Sequence, residues 1–206
     1  MSGAGLATIL LAAGAGSRFG GVKQFAELEG RPILSRVMSE LQGVGETQVL
    51  VLGAAAERVR EAIPAGSWNV VVAAGWEDGP GASLRAGLAA AAAAESALIV
   101  LGDLAWLRRE AAERVLAAAA ASPRSEAVRA CEGGRPGHPL LIRGALLDAA
   151  RVAPDAGLRP LLEQADVLAV DCAGLGPCRD VDTPDDLDPA AGHSPAAPTP
   201  KESDVE

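Results

Sequence analysis

ATILLAAGAGSRFGGVKQF, Ala7 to Phe25, decides how the rest of the chain is read. An apolar run, TILLA (Thr8 to Ala12), passes straight into small residues, and Arg18, the pair Gly20 and Gly21, and Lys23 follow. Such a run reads as a strand buried on both faces. In an open parallel α/β sheet, ligands bind beyond the carboxyl ends of the strands. The residues after Leu11 occupy such an end. Small residues let backbone approach a ligand, and clustered N–H groups make an anion nest. Arg18 offers a planar fork for phosphate oxygens, and Lys23 a point charge. The stretch predicts a phosphate-binding loop; the competing possibility is a glycine-rich connection with solvated cations.

Neither common phosphate-loop pattern fits the spacing. A Walker loop begun at Gly16 needs a lysine directly after Gly21, where Val22 stands. A dinucleotide fingerprint begun at Gly14 needs its third glycine at Phe19. The second strand ends in Gly53 rather than in an acidic residue suited to a ribose.

Outward from the loop, short apolar runs alternate with alanine-rich helical stretches. Thr8 to Ala12, Gln48 to Gly53, Asn69 to Ala74 and Ala97 to Gly102 read as buried strands. Ile33 to Leu41, Ala55 to Ile63, Ser83 to Ala94 and Arg108 to Ala121 read as helices, with Pro32 at a start and Pro64 at a stop. This alternation predicts an α/β protein with a mostly parallel central sheet covered on both faces. The second half is more mixed: a strand at HPLLIR, helices near Ala145 to Val152 and Leu158 to Gln164, and the strand VLAVD.

With 206 residues the chain is long enough for one domain with a sizeable core. Aromatics are only 2%, so that core is built from Ala, Val, Leu and Ile. A net charge of -9 argues against a general nucleic-acid or anionic-membrane surface, but not against a local basic pocket. Cys131, Cys172 and Cys178 make no CxxC pair and predict reduced thiols. The opening MSGAG has no basic n-region, and no apolar stretch reaches membrane-spanning length. The expectation is a cytoplasmic protein. From Pro189 the sequence PAAGHSPAAPTPKESDVE has little to bury, so residues 189–206 are expected to be a disordered tail after a domain of residues 1–188.

LAAGAGSRFGGVK closely resembles the LAAGxGxRxGxxK signature of the MobA-like nucleotidyltransferases, the family of the molybdenum-cofactor cytidylyl- and guanylyltransferases. Later segments resemble further family motifs in order: GPGASLRAGL, IVLGDLAWL, GRPGHPLLI, DAGLRPLLE and RDVDTPDDL. The likeness covers about Ala7 to Leu187. It implies a three-layer Rossmann-like nucleotidyltransferase fold and Mg²⁺-dependent transfer of CMP from CTP to a phosphorylated acceptor, foremost molybdopterin. A molybdoenzyme or its chaperone is the implied protein partner. Two departures stand out: Leu104 and Ala105 replace the Gln or Met and the Pro that usually follow the motif's aspartate. KQFAELEGRPIL also resembles the methylerythritol phosphate cytidylyltransferases. The same resemblance is compatible with guanylyl transfer and with nucleotide binding without catalysis. It is compatible too with NAD(P)H-dependent oxidoreduction, since the nicotine blue oxidoreductases look similar to this family.

On this reading Leu11, Ala12, Ala13, Gly14, Gly16 and Ser17 contact the nucleotide, while Arg18 and Lys23 bind its phosphates. The Ala13 methyl is expected beside the base, favouring CTP over GTP. Asp103 follows a buried strand and suits a Mg²⁺ anchor; as an Asp it also suits a helix N-cap. Asp182 is a second metal ligand or a cap. Ser83 is expected to cap the SLRAGL helix beside the substrate. His138 sits in a Gly/Pro loop on the acceptor side by resemblance. Trp76 and Trp106 offer stacking surfaces or semi-buried packing.

Overall fold

Successive residues of TILLA leave the strand on opposite sides, and both sides are apolar. In the computed structural model, which describes residues 5–16, 19, 21–153, 155–175, 181 and 183–187, this run becomes an interior strand of a sheet. The elements are β1 (Leu6–Ala12), a small hairpin of β2 (Glu27–Leu28) and β3 (Arg31–Pro32), α1 (Ile33–Glu40), β4 (Thr47–Leu52), α2 (Ala56–Ala62) and β5 (Asn69–Val72). There follow α3 (Pro80–Ala90), β6 (Ser96–Leu101), α4 (Arg109–Ala121), β7 (Ala127–Glu132), β8 (Arg135–Arg143), α5 (Gly144–Arg151), α6 (Arg159–Leu162) and β9 (Val167–Asp171).

The seven-stranded sheet runs β5-β4-β1-β6-β8-β7-β9. β5, β4, β1 and β6 are mutually parallel, with Leu11 opposite Val51 on one side and Leu101 on the other. β8 is antiparallel to both β6 and β7, and β9 is parallel to β7. Helices cover both faces, as the alternation predicts. Leu10, Leu50, Val100 and Val128 point to the side carrying Leu34 and Val37 of α1, Val59 of α2 and Val115 of α4. Ile9, Val51, Ile99 and Leu140 point to the side carrying Leu84 and Leu88 of α3 and Leu147 of α5.

The chain leaves β1 for β4 on one side and later returns to β6 on the other. α1 and α3 lie on opposite faces, so β1 is the topological switch point, where such sheets open a crevice. The α3 face fits β1 closely: a Cβ on Gly87 would lie 2.5 Å from Ile9 Cγ2 and 2.9 Å from Val51 Cγ2.

Two elements depart from the sequence reading. β7, AVRACE, is absent from it because Arg129 and Glu132 interrupt the apolar run. Gly133 and Gly134 join β7 to β8 with φ of +56° and +77°, the left-handed pair of a tight hairpin. α3 begins at Pro80, three residues before the expected Ser83, because proline is preorganised for a first helical turn. It ends at Ala90, so part of the alanine run forms a turn instead. The expected tail, 189–206, lies outside the described residues. No helix among the described residues is long and apolar enough to cross a membrane.

Candidate active site

The last residues of β1 and the loop after it are held by their carbonyls. Leu11 O accepts the Gly102 N–H at 2.8 Å, and Ala13 O the Ala54 N–H at 3.2 Å. Gln24 Nε2 donates to Ala12 O at 2.7 Å and to Gly14 O at 3.2 Å. Four consecutive carbonyls are thus turned toward protein donors. An anion site needs this arrangement, because carbonyl oxygens facing the ligand would repel it. Gly14 adjoins open space: a Cβ there would meet nothing within 4 Å. Gly16 is fixed differently. Its φ is +66°, and a Cβ would lie 2.4 Å from Gly21 O.

Gln24 is the residue the sequence reading missed. It is 6% exposed, and its Oε1 is buried without a hydrogen-bond partner among the described residues. A glutamine a few positions beyond the last glycine of a phosphate loop carries no pattern that marks it as a brace.

Lys23 and Asp103 meet beside this loop. Nζ lies 3.3 Å from Oδ2, and the side chains are 15% and 24% exposed. They line a small cavity of about 100 Å³ with Leu11, Gly14, Gly16 and Gln24. The N-cap role considered for Asp103 is not observed, since α4 starts only at Arg109. Asp103 instead forms a turn: its carbonyl accepts the N–H groups of Ala105 at 3.0 Å and Val181 at 3.2 Å. Leu104 and Ala105 are 1% and 2% exposed, and their side chains fill the core.

A larger cavity of about 520 Å³ adjoins the small one, with Leu11 in the wall of both. His138 lines it, and its Nδ1 donates to Ile99 O at 3.1 Å. Ser83 is not the cap expected from sequence. It lies inside α3, 6% exposed, and lines neither cavity, because Gly79 and Pro80 open the helix. Ala13 is also 6% exposed, and its carbonyl and methyl face Gly53. Trp76 and Trp106 are half-buried and pack against the two cores. Ser17, Arg18 and Asp182 lie outside the described residues. Next to Asp182, Asp186 Oδ2 accepts the Thr183 N–H at 2.7 Å and its hydroxyl at 2.9 Å. That is a capping arrangement at the turn Pro184–Leu187. Among the described residues no three His, Cys, Asp or Glu side chains gather as a metal cluster.

A loop with its carbonyls tied back, set at a switch point beside a lysine–aspartate pair, defines an α/β protein with a crevice suited to an anionic ligand. The chain belongs to the MobA-like NTP transferase domain family, whose match spans residues 8–169, and it is a nucleotidyltransferase of that kind. It is 34% identical over 185 residues to a nicotine blue oxidoreductase of Paenarthrobacter nicotinovorans, a match covering 85% of this chain and 91% of that protein. Its fold is similar to that of Rv0371c from Mycobacterium tuberculosis H37Rv: TM-score 0.75, 27% identity, 88% and 95% coverage of the two chains. A manganese complex of the same mycobacterial protein superposes with TM-score 0.68 at 21% identity, covering 81% and 88%.

Proposed function

We propose that this chain transfers CMP from CTP to the phosphate of a phosphorylated acceptor, foremost molybdopterin, with Mg²⁺. One observation carries the reading: the carbonyls of Leu11 to Gly14 are tied back beside the Lys23–Asp103 pair.

The reaction places demands this arrangement can meet. An acceptor phosphate monoester has a second pKa of about 6, so it is already ionised and needs no general base. One of its oxygens attacks the α-phosphorus of CTP. A new P–O–P linkage forms, the bond to the bridging α–β oxygen breaks, and pyrophosphate leaves. The protein must offset repulsion between two anions and stabilise charge on the departing group. Backbone N–H groups of Ala13 to Gly16, with Ser17, would cradle the phosphates. Arg18 would clamp phosphate oxygens, and Lys23 would pass from Asp103 to the α-phosphate as the triphosphate enters.

The residues fit a hard divalent cation. Asp103 offers a carboxylate in the small cavity, and the buried Gln24 Oε1 in its wall is an amide oxygen with no hydrogen-bond partner among the described residues. Mg²⁺ is commonly held by one or two carboxylates plus substrate phosphates. Asp103, with Asp182 as second ligand, would hold it. When bound it would neutralise charge on the α-phosphate and on pyrophosphate. The manganese complex of the mycobacterial protein is consistent with a divalent site on this fold.

NAD(P)H-dependent oxidoreduction is the second reading, favoured by the name of the 34% identical relative. Against it, β4 ends at Leu52 and is followed by Gly53, where a Cβ would lie 2.4 Å from Ala13 O. The acidic ribose ligand of common dinucleotide sites has no place at that position. A thermal-shift panel of CTP, GTP, ATP and NADPH, with and without Mg²⁺, separates the two. The transfer reading expects the largest rise with CTP and Mg²⁺. A rise with NADPH alone would favour the oxidoreductase.

A further inference from the structure

The larger cavity, about 520 Å³, is of a size that holds a small organic ligand. It opens between the sheet and the helices α3 and α6. Leu11, Ile99 and Leu140 form its floor, and Leu84, Leu158 and Leu162 its roof. Away from its few polar side chains, such walls disfavour a polyol. Each buried hydroxyl would give up water for aliphatic carbon, at a cost of about 1–3 kcal/mol per unsatisfied group.

The sheet sends one cation into this apolar space. Arg129 of β7 points to the α3 face, since its neighbours Val128 and Ala130 belong to the opposite core. It is half-buried. Its Nε and Nη2 both donate to Gly137 O, at 3.4 and 3.2 Å. No carboxylate pairs with it among the described residues. Arg159 of α6 and Glu163 just after it, both exposed, stand at the rim. Burial pushes the Arg129 guanidinium below its ordinary range, with Cys131 pulling weakly the other way. A guanidinium set into this cavity with no carboxylate partner among the described residues, and with N–H groups beyond the Nε–Nη2 edge that Gly137 O engages, suits an oxyanion.

We propose that this cavity binds a molecule with a flat ring body and an acidic group, the acid held by Arg129. Leu11 joins the cavity to the nucleotide site, so the occupant would be the acceptor, with its phosphate toward Lys23. That last assignment rests on the transfer reading; the binding of a ring acid does not. An acceptor of this class carries a second anionic group, distant from its phosphate. Sugar-polyol phosphates fall outside it.

Two fluorescent probes of one ring system test this on the full chain. 8-Anilinonaphthalene-1-sulfonate carries the acid, and N-phenyl-1-naphthylamine lacks it. The sulfonate should bind the wild-type protein about tenfold more tightly, since charge-assisted hydrogen bonds contribute on that scale. Arg129→Gln should abolish this preference while the neutral probe's Kd stays within about twofold. Leu162→Trp, which fills the cavity and keeps Arg129, should weaken both probes. Equal binding of the two probes to wild type would overturn the proposal. So would an unchanged sulfonate Kd in Arg129→Gln with its melting temperature retained. If that variant does not fold, the wild-type ratio and Leu162→Trp still decide. CTP affinity with Mg²⁺ is measured on the same samples. Arginine-dependent sulfonate binding without CTP binding would sink the transfer reading and leave this one standing. CTP binding without sulfonate preference would do the reverse.

Discussion

Gln24 shows how much one buried amide can decide. Its Nε2 ties down the carbonyls of Ala12 and Gly14, and no neighbouring side chain duplicates those bonds among the described residues. Gln24→Leu keeps the volume and removes the donor. Two carbonyls then lose a partner, one of them buried, which costs about 1–3 kcal/mol. Released, they can turn toward the ligand and repel phosphate. We therefore expect a lower melting temperature and a CTP affinity reduced by about tenfold or more by calorimetric titration. Unchanged affinity would mean that the loop holds its shape without Gln24. The placement of Lys23 and Asp103 at the sheet's mouth was legible from the sequence because one follows a glycine loop and the other a buried strand. Gln24 was not, since its role arises from a chain reversal that only the fold reveals. Ser83 misled for a related reason: serine suits a cap, but Pro80 had already started the helix.

Among the elements, strands buried on both faces were the most readable. β1, β4 and β6 differ from the sequence reading by a residue or two, because continuous apolar runs leave little choice. β7 was lost because one of its faces carries Arg129, which lines a cavity rather than the core. The Gly133–Gly134 pair before a second strand was the available hairpin signal. α3 owes its close seat on β1 and β4 to Gly87 rather than to a broad apolar stripe. Gly87→Ala would place a methyl 2.5 Å from Ile9 Cγ2. Helix propensity favours alanine by about 1 kcal/mol, while overpacking costs about 1–3 kcal/mol. Overpacking wins, and chemical denaturation should show a net loss of stability. Because α3 also roofs the larger cavity, binding of the ring probes should weaken with it. A stabilised Gly87→Ala protein would show that the helix can lift without cost.

For the whole molecule, the order β5-β4-β1-β6 places the glycine loop, the lysine and the aspartate at one crevice. Residues 189–206 add little apolar surface to set against ordering entropy. Cutting the chain after Asp188 should therefore leave melting temperature and turnover unchanged, and a marked fall in either would show that this segment docks. At that crevice Asp103 is proposed to serve a metal–nucleotide complex. Asp103→Asn keeps the size of the side chain and the backbone turn to Ala105 and Val181. It removes the charge that opposes a triphosphate and engages Lys23. The most direct test is Mg²⁺-dependent pyrophosphate release from CTP in the presence of molybdopterin, wild type against Asp103→Asn, with CTP affinity measured without metal. The account predicts release by the wild type and a loss of about 10²-fold or more in the variant. Melting temperature should be retained, and metal-free CTP affinity equal or improved. Normal Mg²⁺-dependent release by Asp103→Asn would contradict it.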